Sequence, residues 1–342
     1  MKRTTIKDIA RQLGVAPSTV SRALKDHPDI GLALRTEIKK LAEELHYRPN
    51  QLAVHLRQRS SKLIGLIVPE ITMFFYPSVI KGIQEIIQEH GYNLIMLSSH
   101  ESPEKEMENI RICADNEVAG ILISLSRQSE MYENLEYLRE LGIPLVLFDK
   151  VSIDLPFDSI MLEDEEAARQ ATTFLIESGC RNPGAIFGNP NMLITQERVR
   201  GMRKAMEENE LPFKKEYMYF ADNVVEAEAC AKLLMAQNPP PDGVFAMTDE
   251  VLMGSLSVIA GSNTNIPANC SVICISDGVL PYCMTPTVSF LHHNGLELGQ
   301  LAANRMFELL ESGEFINDEY SGVKKTVQAK LIQLSSTRQL VF

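Results

Sequence analysis

The chain has 342 residues, of which 45% are hydrophobic and 23% charged, as in ordinary folded globular proteins. This length exceeds one ordinary domain, so two or three domains are expected. The apolar runs are far too short to span a membrane, and the N-terminus lacks the apolar stretch of a signal peptide. We therefore predict a cytoplasmic protein with no membrane partner.

The six cysteines form no recognisable metal or redox motif. None belongs to a Cys-x-x-Cys pair, and no group of cysteine and histidine has the spacing of a zinc site. Most have apolar neighbours in the sequence, which favours buried, reduced thiols. The sequence thus predicts neither a metal nor a cofactor.

Charge is distributed unevenly along the chain. The formal net charge is −12, yet residues 1–62 contain 13 Lys and Arg against 6 Asp and Glu, a net charge of +7. The remainder carries a net charge of −19. A small basic head on a large acidic body is expected when only the head touches DNA phosphates.

The head reads as three helices. Thr5 and Asp8 form a capping-box pattern at the start of the first helix, which runs through residue 12. Gly14 suits the positive φ of a short turn. Pro17 fits the first position of a second helix that reaches about residue 24. After a turn-like stretch, a third helix carries its apolar residues on one face.

Two helices joined by a short turn are typical of a helix-turn-helix, whose second helix lies in the DNA major groove. Pro17, Ser18 and Arg22 would then face the bases, and the Arg22 guanidinium can pair with O6 and N7 of guanine. Three hydroxyl side chains would bind phosphates and set the register: Thr5, Thr19 and Ser21. A helical hairpin without a DNA role fits the same pattern, but the basic charge favours DNA.

Residues 47–62 are basic and polar and read as a linker that becomes ordered on binding. Asn50, which follows a proline, could begin a helix of two turns, which is marginal alone. Such a helix can insert an apolar wedge into the minor groove. Leu56, which precedes Arg57, is the candidate wedge; the alternative is that Leu56 packs against the body.

From residue 63 onward, short apolar strands alternate with amphipathic helices. The predicted strands are Leu63–Val68, Asn93–Ser98, Gly120–Ser124, Leu145–Phe148, Ala185–Phe187, Gly243–Ala246 and Ser271–Ile275. The predicted helices include Ser78–His90, Glu163–Ser178, Arg198–Glu208, Val224–Gln237 and Asp249–Ala260. This alternation indicates parallel sheets covered on both faces. The body is too long for one sheet, so we predict two doubly wound lobes with a ligand cleft at the carboxyl ends of the strands.

Several segments together resemble one known family. The head contains Thr5-Ile-Lys-Asp-Ile-Ala-Arg, Val15-Ala-Pro-Ser-Thr-Val-Ser-Arg-Ala-Leu and Tyr47-Arg-Pro-Asn. The body contains Ile64-Gly-Leu-Ile-Val-Pro, Arg198-Val-Arg-Gly, Pro241-Asp-Gly-Val-Phe-Ala and Ile266-Pro-Ala-Asn. In this order they are similar to the lactose/galactose repressor (LacI/GalR) family along the whole chain. The resemblance implies a repressor that binds a pseudo-palindromic operator in double-stranded DNA as a homodimer, with Leu56 as the minor-groove wedge.

The resemblance also implies the domain limits. Residues 1–46 would form the helix-turn-helix domain, 47–62 the linker with its hinge helix, and 63–342 an effector-binding and dimerisation domain built like a periplasmic sugar-binding protein. Crossovers near residues 161, 290 and 320 would divide this body. The N-lobe would then contain residues 63–161 and 291–320, and the C-lobe residues 162–290 and 321–342.

By the same resemblance, the effector pocket lies between the lobes. Eight positions carry over to it: Phe75, Tyr76, Asp149, Arg198, Thr248, Asp249, Ser276 and Asp277. An arginine fork with a carboxylate suits a hydroxyl-rich molecule, and an aromatic ring suits the apolar face of a sugar. Thr248 and Ser276 replace an asparagine and an aspartate that are common in the family, which predicts an unusual saccharide or a derivative.

Structural roles remain open for some of these positions. Phe75 could belong to the core, Asp149 could cap a helix, and Arg198 could bridge to Glu163 or Asp164. His292 and His293, at the predicted crossover, could reach the effector or lie in solvent.

Other functions fit the sequence less well. The chain has no GxxxxGK[ST], GxSxG or HExxH motif and no GxGxxG after the first body strand, so we predict that it is not an enzyme. A solute-binding protein would explain the body but not the helical head. A regulator that senses a nucleobase or a partner protein instead of a sugar remains an alternative.

Overall fold

A computed structural model gives the structure of the chain and describes residues 4–45, 47, 61–71, 74–126, 132–151, 155–261, 264–316 and 320–339. The chain divides into two compact units, residues 1–61 and 62–342. The predicted hinge helix, with Asn50, Leu56 and Arg57, lies outside the described residues.

The head consists of helices α1 (Ile6–Leu13), α2 (Pro17–Leu24) and α3 (Leu32–Glu44). The predicted capping box is confirmed: the Asp8 carboxylate accepts hydrogen bonds from the Thr5 backbone N–H at 2.9 Å and from the Thr5 hydroxyl at 2.6 Å. Gly14 ends α1 with a φ of 62°, and Pro17 occupies the first turn of α2, as predicted. One face of each helix forms a small core around Ile9, Val20 and Ile38, which are fully buried.

In the described part of the body, two sheets of six strands form two lobes. The first sheet has the strand order β2-β1-β3-β4-β5-β11 and the second β7-β6-β8-β9-β10-β12. The strands are β1 (Leu63–Val68), β2 (Asn93–Ser98), β3 (Gly120–Ile123), β4 (Leu145–Phe148), β5 (Asp158–Leu162), β6 (Pro183–Phe187), β7 (Met218–Phe220), β8 (Gly243–Ala246), β9 (Ser271–Ser276), β10 (Ser289–His292), β11 (Lys324–Val327) and β12 (Lys330–Ile332). Neighbouring strands are parallel except β10 and β12. The predicted doubly wound α/β body is confirmed.

The crossovers and flanks of the sheets are helical. The body helices are α4 (Phe75–Glu89), α5 (Pro103–Asp115), α6 (Tyr132–Glu140), α7 (Asp164–Glu177), α8 (Leu193–Glu208), α9 (Val224–Met235), α10 (Asp249–Gly261), α11 (Val279–Cys283) and α12 (Gly295–Ser312). Alternate side chains of β1 pack into different clusters, Leu66 into one and Ile67 into the other. Both faces of the strand are therefore buried, which is why β1 reads as an uninterrupted apolar run.

The third crossover between the lobes is displaced from its predicted position. β11 pairs with β5 in the first sheet, while β12 pairs with β10 in the second. The chain therefore crosses at residues 328–329 and not near residue 320, so residues 321–327 belong to the N-lobe. The prediction missed β11 because an exposed edge strand with the sequence Lys-Lys-Thr-Val lacks the apolar run of a central strand. It also missed β5, β7, β10 and β12.

All six cysteines are free thiols, and Cys113, Cys180, Cys270 and Cys274 are buried. No helix in the described part of the chain has the length and apolar character needed to cross a membrane.

Two glycines let α4 and α12 touch backbone to backbone. A Cβ atom at Gly82 would lie 2.2 Å from the Leu296 carbonyl oxygen, and one at Gly299 would lie 2.2 Å from the Val79 carbonyl oxygen. Since real atoms do not approach this closely, the two helices pack at this distance only because both residues lack a side chain.

We expect Gly82→Ala to force these helices apart and to lower the free energy of unfolding by about 1–3 kcal/mol. Differential scanning calorimetry of the full chain would measure the loss as a lower Tm. Gly261→Ala is the matched control, because no described atom lies within 4 Å of its added methyl group. Equal Tm values for the two variants would contradict the close approach.

Candidate functional site

A cavity of about 350 Å³ lies in the body at the carboxyl ends of strands from both sheets. Asp149 follows β4 of the first sheet, while Ser276 and Asp277 lie at the end of β9 of the second sheet. The structure brings all eight predicted effector positions to the wall of this cavity. In doubly wound folds, this edge of the sheet is where ligands bind.

Sequence reasoning missed other lining residues. They are Glu70, Phe74, His100, Glu101, Lys150, Ile194, Glu250 and Ile275. His293, for which two roles were open, is buried and also lines the cavity. Two of them could have been predicted from their place after a strand. Glu70 and His100 each lie two residues beyond the end of a strand, just as Asp149 lies one residue beyond β4. Applying the carboxyl-end rule to every strand would have found them.

Tyr76 and Asp149 form a buried pair on the N-lobe side. The Tyr76 hydroxyl donates to Asp149 Oδ2 at 2.8 Å and lies 3.0 Å from the Ser124 hydroxyl. The backbone of Asp149 lies in the left-handed region, with a φ of 61°. Burial raises the pKa of its carboxyl group, and the charge of Lys150 opposes this effect. Among the described residues Asp149 caps no helix, and its carboxylate holds the Tyr76 hydroxyl at the cavity wall.

Arg198 is the largest fully buried side chain of the described residues. Its Nε and Nη2 atoms lie 2.7 and 2.6 Å from Asp164 Oδ1, and Nη1 donates to the Met247 carbonyl oxygen at 2.6 Å. Burial raises the pKa of Asp164 to about 6, although the Arg198 charge opposes this. The bridge to Asp164 that the sequence left open is present, and Arg198 lines the cavity as well.

Asp249 and Thr248 begin α10 at the C-lobe wall. The Thr248 hydroxyl accepts the Val251 backbone N–H at 3.3 Å and so caps the helix. Asp249 is 7% exposed, and its Oδ1 atom has no hydrogen-bond partner among the described residues. Burial raises the pKa of Asp249 to about 6.

Asp277 connects the lobes. It accepts hydrogen bonds from the Ser78 hydroxyl in α4 and, at 2.9 Å, from the Gly295 backbone N–H at the start of α12. Both helices pack on the N-lobe, whereas Asp277 follows β9 of the C-lobe. Nearby, the half-buried Phe75 ring packs against the His293 ring, with centroids 4.1 Å apart and ring planes inclined by 33°. Phe75 is therefore a wall of the cavity that also packs against the edge of a core cluster.

We expect Asp249→Asn to stabilise the body at pH 7.5 by about 1–3 kcal/mol, because asparagine removes a buried charge. Folding raises the pKa of Asp249. The protonated carboxyl therefore contributes to the free energy of unfolding at low pH, and this contribution is lost as the pH rises through about 6. The difference in Tm between variant and wild type should therefore grow between pH 4.5 and 7. The exposed Asp115→Asn is the control and should show no such growth. A constant difference across this range would contradict the raised pKa.

Helix α2 carries the residues that the sequence predicts to contact bases, and most of them face solvent. Pro17, Ser18 and Arg22 are exposed, and Thr19 and Ser21 are half-buried. The Arg22 guanidinium lies 3.9 Å from the Asp29 carboxylate, with both side chains more than half exposed. An exposed ion pair of this kind contributes little to stability, so the Arg22 guanidinium stays available for another partner.

A helix-turn-helix head joined to a two-lobed α/β body with a cavity between the lobes defines a DNA-binding regulator with a ligand-binding domain. A family model for bacterial regulatory proteins of the lacI family matches residues 5–50. A second model, for periplasmic binding proteins and the sugar binding domain of the LacI family, matches residues 61–306. The chain belongs to the LacI family of DNA-binding transcription regulators, which confirms the resemblance seen in the sequence.

Relatives match this chain along nearly its whole length. The HTH-type transcriptional regulator RegA of Clostridium saccharobutylicum is 27% identical over 336 residues, which cover 98% of this chain and 99% of RegA. The HTH-type transcriptional repressor PurR of Vibrio parahaemolyticus serotype O3:K6 is 29% identical over 312 residues, which cover 91% and 93%. The lac repressor dimer bound to operator and the anti-inducer ONPF matches with a TM-score of 0.86 at 18% identity, covering 99% of this chain and 100% of that chain. The relatives are named as regulators and not as enzymes.

Proposed function

We propose that the chain is a non-enzymatic repressor that binds a pseudo-palindromic operator as a homodimer and changes its operator affinity when a saccharide binds in the cavity. The observation that favours a saccharide is that several carboxylates and the Phe75 ring line the same cavity. Carboxylates accept hydrogen bonds from hydroxyl groups, and the apolar face of a sugar packs on an aromatic ring.

The position of the cavity supports a coupling mechanism. Both lobes line it, and Asp277 already joins them by hydrogen bonds to Ser78 and Gly295. A ligand that binds the closed and open arrangements with different affinity shifts the balance between them. If only one arrangement spaces the two heads of a dimer for the operator, ligand and operator affinities are reciprocally coupled, typically by about 1–3 kcal/mol.

A nucleobase is the second candidate for the effector. The observation that favours it is the pair of aromatic rings of Phe75 and His293 at the cavity wall, since a planar base can pack against an aromatic ring.

The test is a thermal-shift screen of the full chain with saccharides, sugar phosphates and nucleobases, followed by operator titrations with every compound that binds. A ligand at 100 times its Kd stabilises the folded state by about 2.7 kcal/mol. A saccharide that raises Tm and changes operator affinity supports the proposal. Binding of a nucleobase alone would change the ligand class, and binding that leaves operator affinity unchanged would contradict the coupling.

We expect Arg22→Ala to weaken operator binding by about 1–3 kcal/mol and to relax the base preference at one position of each half-site. Fluorescence anisotropy with a set of single-base operator variants measures both effects. Arg11→Ala on α1 is the control, since Arg11 is exposed but lies outside the recognition helix. Uniform weakening across all operators would show that Arg22 contacts phosphate and reads no base.

A further inference from the structure

The wall of the cavity carries a surplus of negative charge. Among the described residues that line it, six are carboxylates: Glu70, Glu101, Asp149, Asp249, Glu250 and Asp277. Two are basic side chains, Lys150 and Arg198. Lys150 Nζ lies 2.5 Å from Glu101, and Arg198 Nη2 lies 2.6 Å from Asp164. Each of these two basic side chains thus pairs with a carboxylate other than Asp249.

The surplus is concentrated around Asp249. The charges of Asp277 and Glu250 lie close enough to disfavour its ionised form, in addition to the effect of burial. The two oxygens of Asp277 already accept hydrogen bonds from Ser78 and Gly295. Asp249 Oδ1, by contrast, has no partner among the described residues. A buried carboxylate oxygen without a donor is costly, which points to a donor supplied from outside the protein.

A second buried atom without a partner lines the same cavity. His293 is 6% exposed, and its Nε2 atom has no hydrogen-bond partner among the described residues. Burial and the nearby Arg198 charge lower the pKa of His293 well below its usual value, so the ring is neutral. A neutral imidazole offers one accepting nitrogen. Asp249 and His293 come from different elements of the fold, and each has an unpartnered polar atom; the tautomer of His293 sets whether Nε2 accepts or donates.

We propose, building on the proposed function, that the effector is a saccharide carrying a free ammonium group, which donates to Asp249. An ammonium group supplies three donors and also a positive charge, whereas a hydroxyl group supplies one donor and no charge. Only the ammonium group relieves the mutual repulsion of Asp249, Glu250 and Asp277. A phosphate on the sugar would add to the surplus, and N-acetylation would remove the charge that balances it.

The experiment compares saccharides that differ in one substituent. Chitobiose, N,N′-diacetylchitobiose and cellobiose share one skeleton and carry an ammonium, an acetamido or a hydroxyl group at each C2. Amino, acetamido, hydroxyl and 6-phosphate forms of glucose, galactose and mannose extend the set to other stereochemistries. Thermal shift and calorimetric titration of the full chain give each Kd. We expect the tightest ligand to be an amine, with a Kd about tenfold or more below that of its hydroxyl analogue.

Tighter binding of a neutral, acetamido or phosphorylated member would overturn the ammonium proposal. If that member also changed operator affinity, the proposed function would still stand. If no member of the set binds, the ammonium proposal fails. The broader screen of the proposed function then decides separately whether the chain has a small-molecule effector.

A pair of variants assigns the preference to one side chain. In Asp249→Asn the amine should bind no better than its hydroxyl analogue, because the carboxylate charge is gone. Asp115→Asn, far along the chain and exposed, should keep the preference. Since Asp249→Asn is expected to stabilise the fold, a loss of preference cannot be ascribed to unfolding. Full preference in Asp249→Asn would overturn the assignment to this residue.

Discussion

Arg198→Met is expected to lower the free energy of unfolding of the body by about 3–5 kcal/mol. The substitution keeps much of the side-chain volume but removes the charge that faces Asp164. Asp164 is buried with Arg198, so the variant leaves a carboxylate in a region of low polarity with no counter-charge. The Met247 carbonyl oxygen also loses its donor.

Calorimetry of the full chain measures this loss as a lower Tm for the transition of the body. Arg200→Met is the matched control: it lies on the same helix, its side chain is 50% exposed, and its longer contacts with Glu165 and Glu197 contribute little. The double variant Arg198→Met, Asp164→Leu removes both charges and should regain most of the stability. A single variant with the Tm of the wild type would show that the buried pair is not needed.

The double variant also separates the two roles of Arg198. If Arg198 only neutralises Asp164, the double variant should bind the effector as the wild type does. If its remaining N–H donors also hold the effector, stability should return without effector binding. A thermal shift measured on the double variant therefore decides between these outcomes.

Ile38→Ala is expected to unfold the head and abolish operator binding while the body still binds its ligand. Ile38 lies in α3, is fully buried, and packs in the same small core as Ile9 and Val20. Truncation of a buried isoleucine to alanine costs about 2–5 kcal/mol. A domain as small as this head has only a few kcal/mol of stability to lose.

Operator titration and circular dichroism measure the two consequences, and a ligand-induced thermal shift shows that the body is intact. Leu32→Ala is the control on the same helix, because Leu32 is 76% exposed and touches little. Normal operator binding by Ile38→Ala would mean that the head tolerates the cavity or that DNA restores its fold.

The eight positions predicted to bind an effector show how much of the site a family pattern identifies. All eight line one cavity, although Phe75 and Asp277 are about two hundred positions apart in the chain. The ends of the strands that carry several of them could be predicted from the sequence, because central strands buried on both faces appear as continuous apolar runs. The contacts between these side chains could not be predicted from the sequence. Only the folded chain brings Ser78 to Asp277, which is 199 positions away.

The sequence by itself determined the features that depend on neighbouring residues. The capping box at Thr5, the left-handed turn at Gly14 and the start of α2 at Pro17 are local, since each is decided by bonds within a few positions. The tertiary structure alone decided which charges pair, which edge strands form and where the third crossover lies. Arg198 meets Asp164, β11 joins β5, and Asp249 keeps an unpaired oxygen only because distant segments pack together. Those outcomes depend on burial, and burial at a given position is set by the whole fold and not by the residues beside it.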